Sequence, residues 1–266
     1  MNILDKIVID KRREVATKEK ILPIDFLQKS PMFLRETNSL AKNIISGSGI
    51  ISEFKRRSPS RDVINHKSSV IDVVQGYDEA GVSGISILTD TKYFGGSLDD
   101  LIQARNTVSL PILRKEFIVD SYQIYEAKAF GADAILLIAG ILKESEIIIF
   151  SGLANKLGLE VLLEVHNEEE LKKSDLTYVN LVGVNNRNLK TFEVTLETSR
   201  RLSTLIPEDK IKISESGISS ISAIQELMNF GFSGFLVGEN FMKTEDPGET
   251  AVNFLRELNI RIEKRI

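Results

Sequence analysis

The chain has 266 residues, 42% hydrophobic and 27% charged, with a formal net charge of −4 and no cysteine. That composition belongs to a folded globular protein, and the lack of cysteine excludes disulfides, thiolate metal ligands and cysteine nucleophiles, so a reducing cytoplasm is the expected location. The mildly acidic balance gives no global attraction for nucleic acid or an anionic membrane, and affinity for any anion must come from a local site.

In chain order, the first predicted element is a helix. Ile3, Leu4, Ile7, Val8 and Val15 recur at helical spacing in the opening segment MNILDKIVIDKRREVATKEK, which predicts an amphipathic helix covering part of the fold. The segment is too charged for a secretory signal. The longest apolar run, 134–142, is too short to cross a bilayer, and no lipid anchoring is expected.

Short runs rich in Ile, Val and Leu then alternate with helix-period segments. They fall at 49–54, 84–89, 111–114, 133–138, 160–165, 181–184, 210–214 and 234–237. Runs apolar on both faces predict parallel strands covered by helices. The helices between them carry punctuation: Ser69 caps a stripe of Val70, Val73, Val74 and Tyr77 that Gly81 closes, Asn167 with Glu170 forms a capping-box start, and Asp246 precedes Pro247 at the opening of the last helix.

Eight strand-then-helix units spaced by roughly 20 to 35 residues predict an α/β fold of the (β/α)8 barrel type. A doubly wound sheet would be expected to show a glycine-rich turn after its first strand, and none follows Phe54. With no linker or low-complexity stretch, residues 1–266 are expected to form one barrel domain, 1–48 being a helical extension at its front.

Barrel chemistry sits at the carboxyl ends of the strands. There the chain delivers Glu53 and Lys55, Thr89-Asp90, Arg114-Lys115-Glu116, Glu164, Asn185-Asn186-Arg187, Glu215-Ser216-Gly217 and Gly238-Glu239, while strand four ends apolar at Leu136 and Ile138. Two lysines and three glutamates would thus converge on one mouth. The histidines, His66 and His166, lie in no metal-binding pattern and are read as non-ligand residues; no metal site and no cofactor are expected.

The basic run Lys55-Arg56-Arg57 is short and lacks interleaved aromatics, so phosphate is a better use for it than nucleic acid. Ser58 and Ser60 supply hydroxyls, Lys55 a point charge, and the turns at Gly217 and Gly238 backbone N–H groups. The segment 238–243 predicts a short extra helix at the usual phosphate position of such barrels. Glu239 is acidic there, so its N–H can donate only if its carboxylate points away. The loop 58–69 is a candidate lid.

The segments ISEFKRRSPS, SILTDTKYFGGSLDDL, PILRKEFIVDSYQIYEAKAFGADAILLI, LLEVHN, VGVNNRNLKTFEV, ISESGI and FLVGENFM together resemble the indole-3-glycerol-phosphate synthase family of tryptophan biosynthesis, and the opening LDKIVIDKRREV is similar to that family's N-terminal helix. The resemblance implies a lyase that converts 1-(2-carboxyphenylamino)-1-deoxyribulose 5-phosphate into indole-3-glycerol phosphate, CO2 and water. It implies Lys115 as general acid, Glu164 as general base, Glu53 and Asn185 in support, and Lys55 near phosphate and substrate carboxylate. Phe94 and Leu136 would pack on the aromatic ring, with Arg187 in the same polar group and Glu215 and Ser216 beside the sugar hydroxyls. The division of the acid role between Lys55 and Lys115 stays open.

The residues themselves fit that chemistry. Ring closure puts electrons on a ketone oxygen, which needs an ammonium, and a lysine lowered toward neutrality by burial or a second cation would serve. The alternatives are a Schiff-base aldolase using Lys115 or Lys55, or a phosphate-ligand binder that kept the fold without the chemistry. A phosphoribosylanthranilate isomerase would lean on a cysteine that this chain lacks. The expected partner is a small sugar phosphate; the oligomeric state is open, and a monomer is compatible with the sequence.

Overall fold

The apolar runs become strands because each alternates between two hydrophobic environments. In a computed structural model, which describes residues 3–263 apart from 60, 189 and 190, the chain begins with α1 (Ile3–Ile21), α2 (Ile24–Leu27) and α3 (Leu40–Ser46). The barrel follows as β1 (Ile50–Phe54), α4 (Val70–Ala80), β2 (Gly84–Leu88), α5 (Thr91–Phe94), α6 (Leu98–Thr107), β3 (Ile112–Lys115), α7 (Tyr122–Ala129), β4 (Ala134–Ile138) and α8 (Glu144–Lys156). It continues through β5 (Glu160–Val165), α9 (Glu168–Lys172), β6 (Leu181–Asn185), α10 (Glu197–Ser203), β7 (Ile211–Glu215), α11 (Ile221–Met228), β8 (Phe232–Val237), α12 (Glu239–Met242) and α13 (Pro247–Glu263). The strands pair in parallel and in sequence order, and β8 closes on β1 through Ile50 and Phe235. This is the expected (β/α)8 barrel. Ser60, an expected phosphate donor, lies outside the described residues.

Strand alternation sorts the side chains. Ile50, Phe54, Ile85, Ile112, Val161, Leu163 and Val182 join the helices in an outer hydrophobic layer. Ile51, Leu113, Leu136, Leu162, Ile213 and Leu236 fill the barrel interior. Each such side chain contributes about 1.5–3 kcal/mol by leaving water, so a one-residue slip of any strand would reverse its faces at great cost. The same parity carries Glu53, Lys115, Glu164, Asn185 and Glu215 inward at the carboxyl ends.

Leu40 and Ile44 of α3 plug the amino end of the barrel, against the starts of β2 and β8. Beyond them, α1 crosses the loops at the opposite end. Arg12 Nη1 donates to Val119 O at 3.1 Å, and Asp10 accepts from Lys92 at 2.6 Å and Tyr93 at 2.5 Å. Its buried stripe is Ile7, Lys11 and Val15. Lys11 Nζ meets Asp90 at 2.8 Å, Glu116 at 3.1 Å and Glu14 at 2.8 Å, which ties the helix to the ends of β2 and β3.

One strand boundary departs from the sequence reading by more than one residue. β8 begins at Phe232 rather than 234, with a register shift that pairs Lys212 with Phe232 and Ile213 with Gly234. Ser233 is the extra residue of a bulge, so it interrupts the apolar pattern by which the strand start is read.

Candidate active site

A cavity of about 370 Å³ opens at the carboxyl ends of the strands. Every described residue singled out in the sequence for catalysis, substrate or phosphate lines it. Its apolar wall combines Phe94, after β2, with Leu136 of β4, Phe117, and Ile3, Leu4 and Ile7 of α1. The Phe94 and Phe117 rings stand 5.9 Å apart and tilted, a face suited to an aromatic ring.

The charges line the same cavity. Lys55 Nζ is 2.8 Å from Glu53 Oε1. Lys115 Nζ lies against Glu215 Oε2 and 3.5 Å from Glu164 Oε2. Ser86 also donates to Glu53, at 3.4 Å. Glycine makes this crowding possible: a Cβ at Gly238 would stand 2.6 Å from Glu53 Oε1, and one at Gly183 would collide with the Glu215 carboxylate.

Burial opposes ionisation throughout; neighbouring charges outweigh it at Glu53 and Lys115 and do not at Glu215. Lys55 and Lys115 hold Glu53 below the ordinary carboxylate range despite its burial. Burial alone would lower Lys115, but Glu215, Glu164 and Glu53 raise it well above an ordinary lysine. Glu215 is pushed up to about 7 by burial and by Glu164 and Glu53, against the pull of Lys115. The expectation of a lysine lowered toward neutrality is therefore corrected for Lys115. Three carboxylates face two ammonium groups, and the carboxylates win.

The third face is built of turns. After β7, Ser216 and Gly217 both take positive φ, 66° and 76°, a left-handed conformation that is uncommon for serine. Asn186 braces it, donating from Nδ2 to Ser214 Oγ at 2.9 Å and Ser216 O at 3.1 Å. Asn185 Oδ1 accepts from the Arg187 N–H at 3.0 Å. Gly238 leads into α12, and Glu239 turns outward to Arg61, 2.7 Å away, as its acidic side chain requires. Ser58 exchanges backbone hydrogen bonds with Arg61 at 2.9 and 3.0 Å. Arg56 clamps the base of this loop with a two-pronged contact to Asp100, at 2.6 and 2.8 Å.

Some strand-end polar residues do not join the mouth. Arg114 points outward, bonding Glu126 at 2.6 Å, Gln123 O at 2.8 Å and Thr89 at 3.1 Å. Asp90 caps α5 through the Tyr93 N–H at 2.6 Å and meets Lys11. Glu116 lines the cavity, yet its carboxylate is held by Thr89, Phe117 N and Lys11.

The sequence profile described as "Indole-3-glycerol phosphate synthase" matches residues 4–254. The chain belongs to the indole-3-glycerol phosphate synthase family. An indole-3-glycerol phosphate synthase of Bacteroides thetaiotaomicron is 46% identical over 258 residues, covering 97% of this chain and 99% of its own. One of Polynucleobacter necessarius is 42% identical over 260 residues, covering 93% and 96%. Among solved structures, the tryptophan synthase α2β2 complex of Pyrococcus furiosus aligns with a TM-score of 0.59 at 18% identity, over 80% of this chain and 98% of that one. At that identity the likeness shows the barrel fold alone.

Five residues in or beside the mouth of this synthase-family chain have a part that sequence reading misses. Ile3, Leu4 and Ile7 were read only as a covering stripe. Asn186 was read with its neighbours as a strand-end polar group, whereas it is buried and braces the next loop. His166 was set aside for lacking a metal pattern, yet its Nε2 lies 3.3 Å from Glu164 Oε1. The usable signal was parity: His166 follows Glu164 by two residues, and side chains two apart in an extended chain share a face.

Proposed function

We infer that this chain catalyses its family's reaction: ring closure, decarboxylation and dehydration of 1-(2-carboxyphenylamino)-1-deoxyribulose 5-phosphate to indole-3-glycerol phosphate, CO2 and water, a lyase step of tryptophan biosynthesis. The observation that carries the reading is the opposition of Lys115 and Glu164, 3.5 Å apart in one cavity, between an apolar wall and a rim of glycine turns.

The residue roles follow from what each step needs. Ring closure converts the ketone oxygen into a developing alkoxide, whose proton affinity exceeds that of any lysine. Lys115, kept an ammonium by its carboxylate neighbours, is the donor to that oxygen. The ring carbon bearing the carboxylate attacks, CO2 then leaves, and the electron pair returns to the ring system. Loss of water requires a base, which is Glu164, with Glu53 and Asn185 orienting the reacting groups.

Phe94 and Leu136 receive the aromatic ring, and Lys55 stands between the phosphate and the substrate carboxylate. Ser58, Gly217, Gly238 and the Glu239 N–H receive the phosphate. Arg187 belongs to the polar side, and Ser216 meets the sugar hydroxyls with Glu215, whose Oε1 is buried without a hydrogen-bond partner among the described residues. A buried acceptor of that kind is costly unless a ligand uses it. The loop 58–69 acts as the lid, with Arg61–Glu239 as its latch. A cytoplasmic site of action fits a chain without cysteine.

The test is chemical. Purified protein mixed with the carboxyphenylamino sugar phosphate should generate indole fluorescence and CO2 in equal amounts, and a reduced lysine adduct after borohydride treatment in place of indole would show aldolase chemistry instead.

A further inference from the structure

His166 has a place in the polar cluster that neither its residue type nor the family reading assigns. Its ring lies between two carboxylates, with Nε2 at 3.3 Å from Glu164 Oε1 and Nδ1 at 3.1 Å from Glu170 Oε2. The side chain is 12% exposed and that of Glu164 4%. Toward Glu164 the ring stands within ion-pair distance, and Nε2 makes no aligned hydrogen bond among the described residues.

Glu170 is itself held in place. Its Oε2 accepts from the His166 backbone N–H at 2.8 Å as well as facing the ring, and its Oε1 accepts from Asn167 Nδ2 at 3.0 Å. Asn167 Oδ1 accepts in return from the Glu170 N–H at 2.9 Å. The start of α9 thus fixes Glu170, Glu170 fixes Nδ1, and the far side of the ring is turned to Glu164.

The ion pairs around the cavity show why this matters. Lys55 is paired with Glu53, and the nearest partner of Lys115 is Glu215. Glu164 is left with the ammonium at 3.5 Å and the imidazole at 3.3 Å. We propose that His166, oriented by Glu170, is the positioning residue of Glu164: as an imidazolium it is that carboxylate's own counter-ion and keeps it an anion after Lys115 has given its proton to substrate. The proposal rests on Glu164 being the base.

Without this second cation, a buried carboxylate beside Glu215 would have the Lys115 ammonium as its one ion-pair partner among the described residues, and would lose that counter-charge when Lys115 gives up its proton. The charged groups around the pair are Glu164 of β5, Glu170 of α9, Glu215 of β7 and Lys115 of β3, with Lys173 beside Glu170. Together Glu170, Glu164 and Glu215 raise the titration of His166 above the ordinary range, although its burial works the other way.

The chain has two histidines, so proton NMR of the imidazole signals, assigned with a His66→Gln variant, isolates His166. Its midpoint should fall by about one unit in Glu164→Gln and again in Glu170→Gln. In the full-length enzyme, His166→Gln should shift the acid limb of kcat upward by about one pH unit, costing about tenfold in kcat below that limb, with KM within about twofold and recovery at higher pH. Glu170→Gln, which alters a residue outside the cavity, should move the limb the same way and serves if His166→Gln does not fold.

A His166 midpoint indifferent to Glu164→Gln, or an acid limb that does not move in either variant, would overturn the proposal. The underlying reading fails separately: should Glu164→Gln keep its full rate while the His166 midpoint still shifts, the ion pair exists but Glu164 is not the base.

Discussion

Lys11 Nζ of α1 lies 2.8 Å from Asp90 Oδ2 at the end of β2, and the two side chains are 2% and 1% exposed. The contact joins a helix outside the barrel to the loop that carries Phe94. It also places Ile3, Leu4 and Ile7 over the cavity, so the docking of α1 and the shape of the site are one structural problem.

Lys11→Met should therefore leave Asp90 and Glu116 buried beside an apolar group. Breaking a buried ion pair on one side costs about 3–5 kcal/mol. Both carboxylates keep other donors, Tyr93 N for Asp90 and Thr89 with Phe117 N for Glu116, which favours the low end of that range. Urea unfolding should register the loss, and KM should rise because the apolar wall loosens. Unchanged stability would show that the burial of Lys11 is not what holds the helix.

Glu164→Gln should lower kcat by about 10²–10³, whereas Arg187→Ala should cost about tenfold or less. Arg187 sits at the rim, where among the described residues Nη1 donates to Phe192 O at 3.4 Å. Steady-state kinetics of the two variants decide the matter, and the opposite ranking would move the base to another residue.

Combining Lys55→Ala with Ser58→Ala should weaken affinity for a phosphate-bearing substrate by about tenfold or more, since a hydrogen bond to a charged group is worth about 1.5–3 kcal/mol. An unchanged Kd from calorimetry would remove the phosphate from this side of the cavity.

Glu215 gives a pH prediction. Its pKa is raised from 4.5 to about 7 in the folded chain, so between those values the folded state retains a proton that the unfolded state has released. Its contribution to stability then declines as pH rises across that window. Glu215→Gln should remove this decline, so that the stability of the variant relative to the parent improves from about pH 5 to about pH 7. A constant difference across the window would mean that Glu215 is not the strained carboxylate.

The barrel was legible because its strands are apolar on both faces and its helices carry caps that act locally. The mouth was legible because Glu53, Lys115, Glu164 and Glu215 are charges inside or at the end of apolar runs, where only a site or an ion pair makes them tolerable. Reading Arg114, Lys115 and Glu116 as a block blurred that picture. Alternation sends Lys115 inward and Arg114 outward to Glu126, two fates that adjacency in the chain hides.

Long-range pairing was the harder part. Ile7, Lys11 and Val15 share one helical stripe, and a lysine in the middle of a buried stripe announces a buried anion without saying which. Asp90 and Glu116 come from loops that only the closed barrel brings beneath α1. Likewise, the raised pKa of Lys115 depends on how many carboxylates surround it, a number fixed by three strands together and by no single segment.

The central claim is that an ammonium from β3 and a carboxylate from β5 act on one substrate in one cavity. The most direct measurement is indole formation by Lys115→Ala, with its fold verified by circular dichroism and its substrate binding by calorimetry. The account predicts a folded protein that binds substrate and turns it over at least about 10²-fold more slowly; a folded variant with near-parental kcat would contradict it.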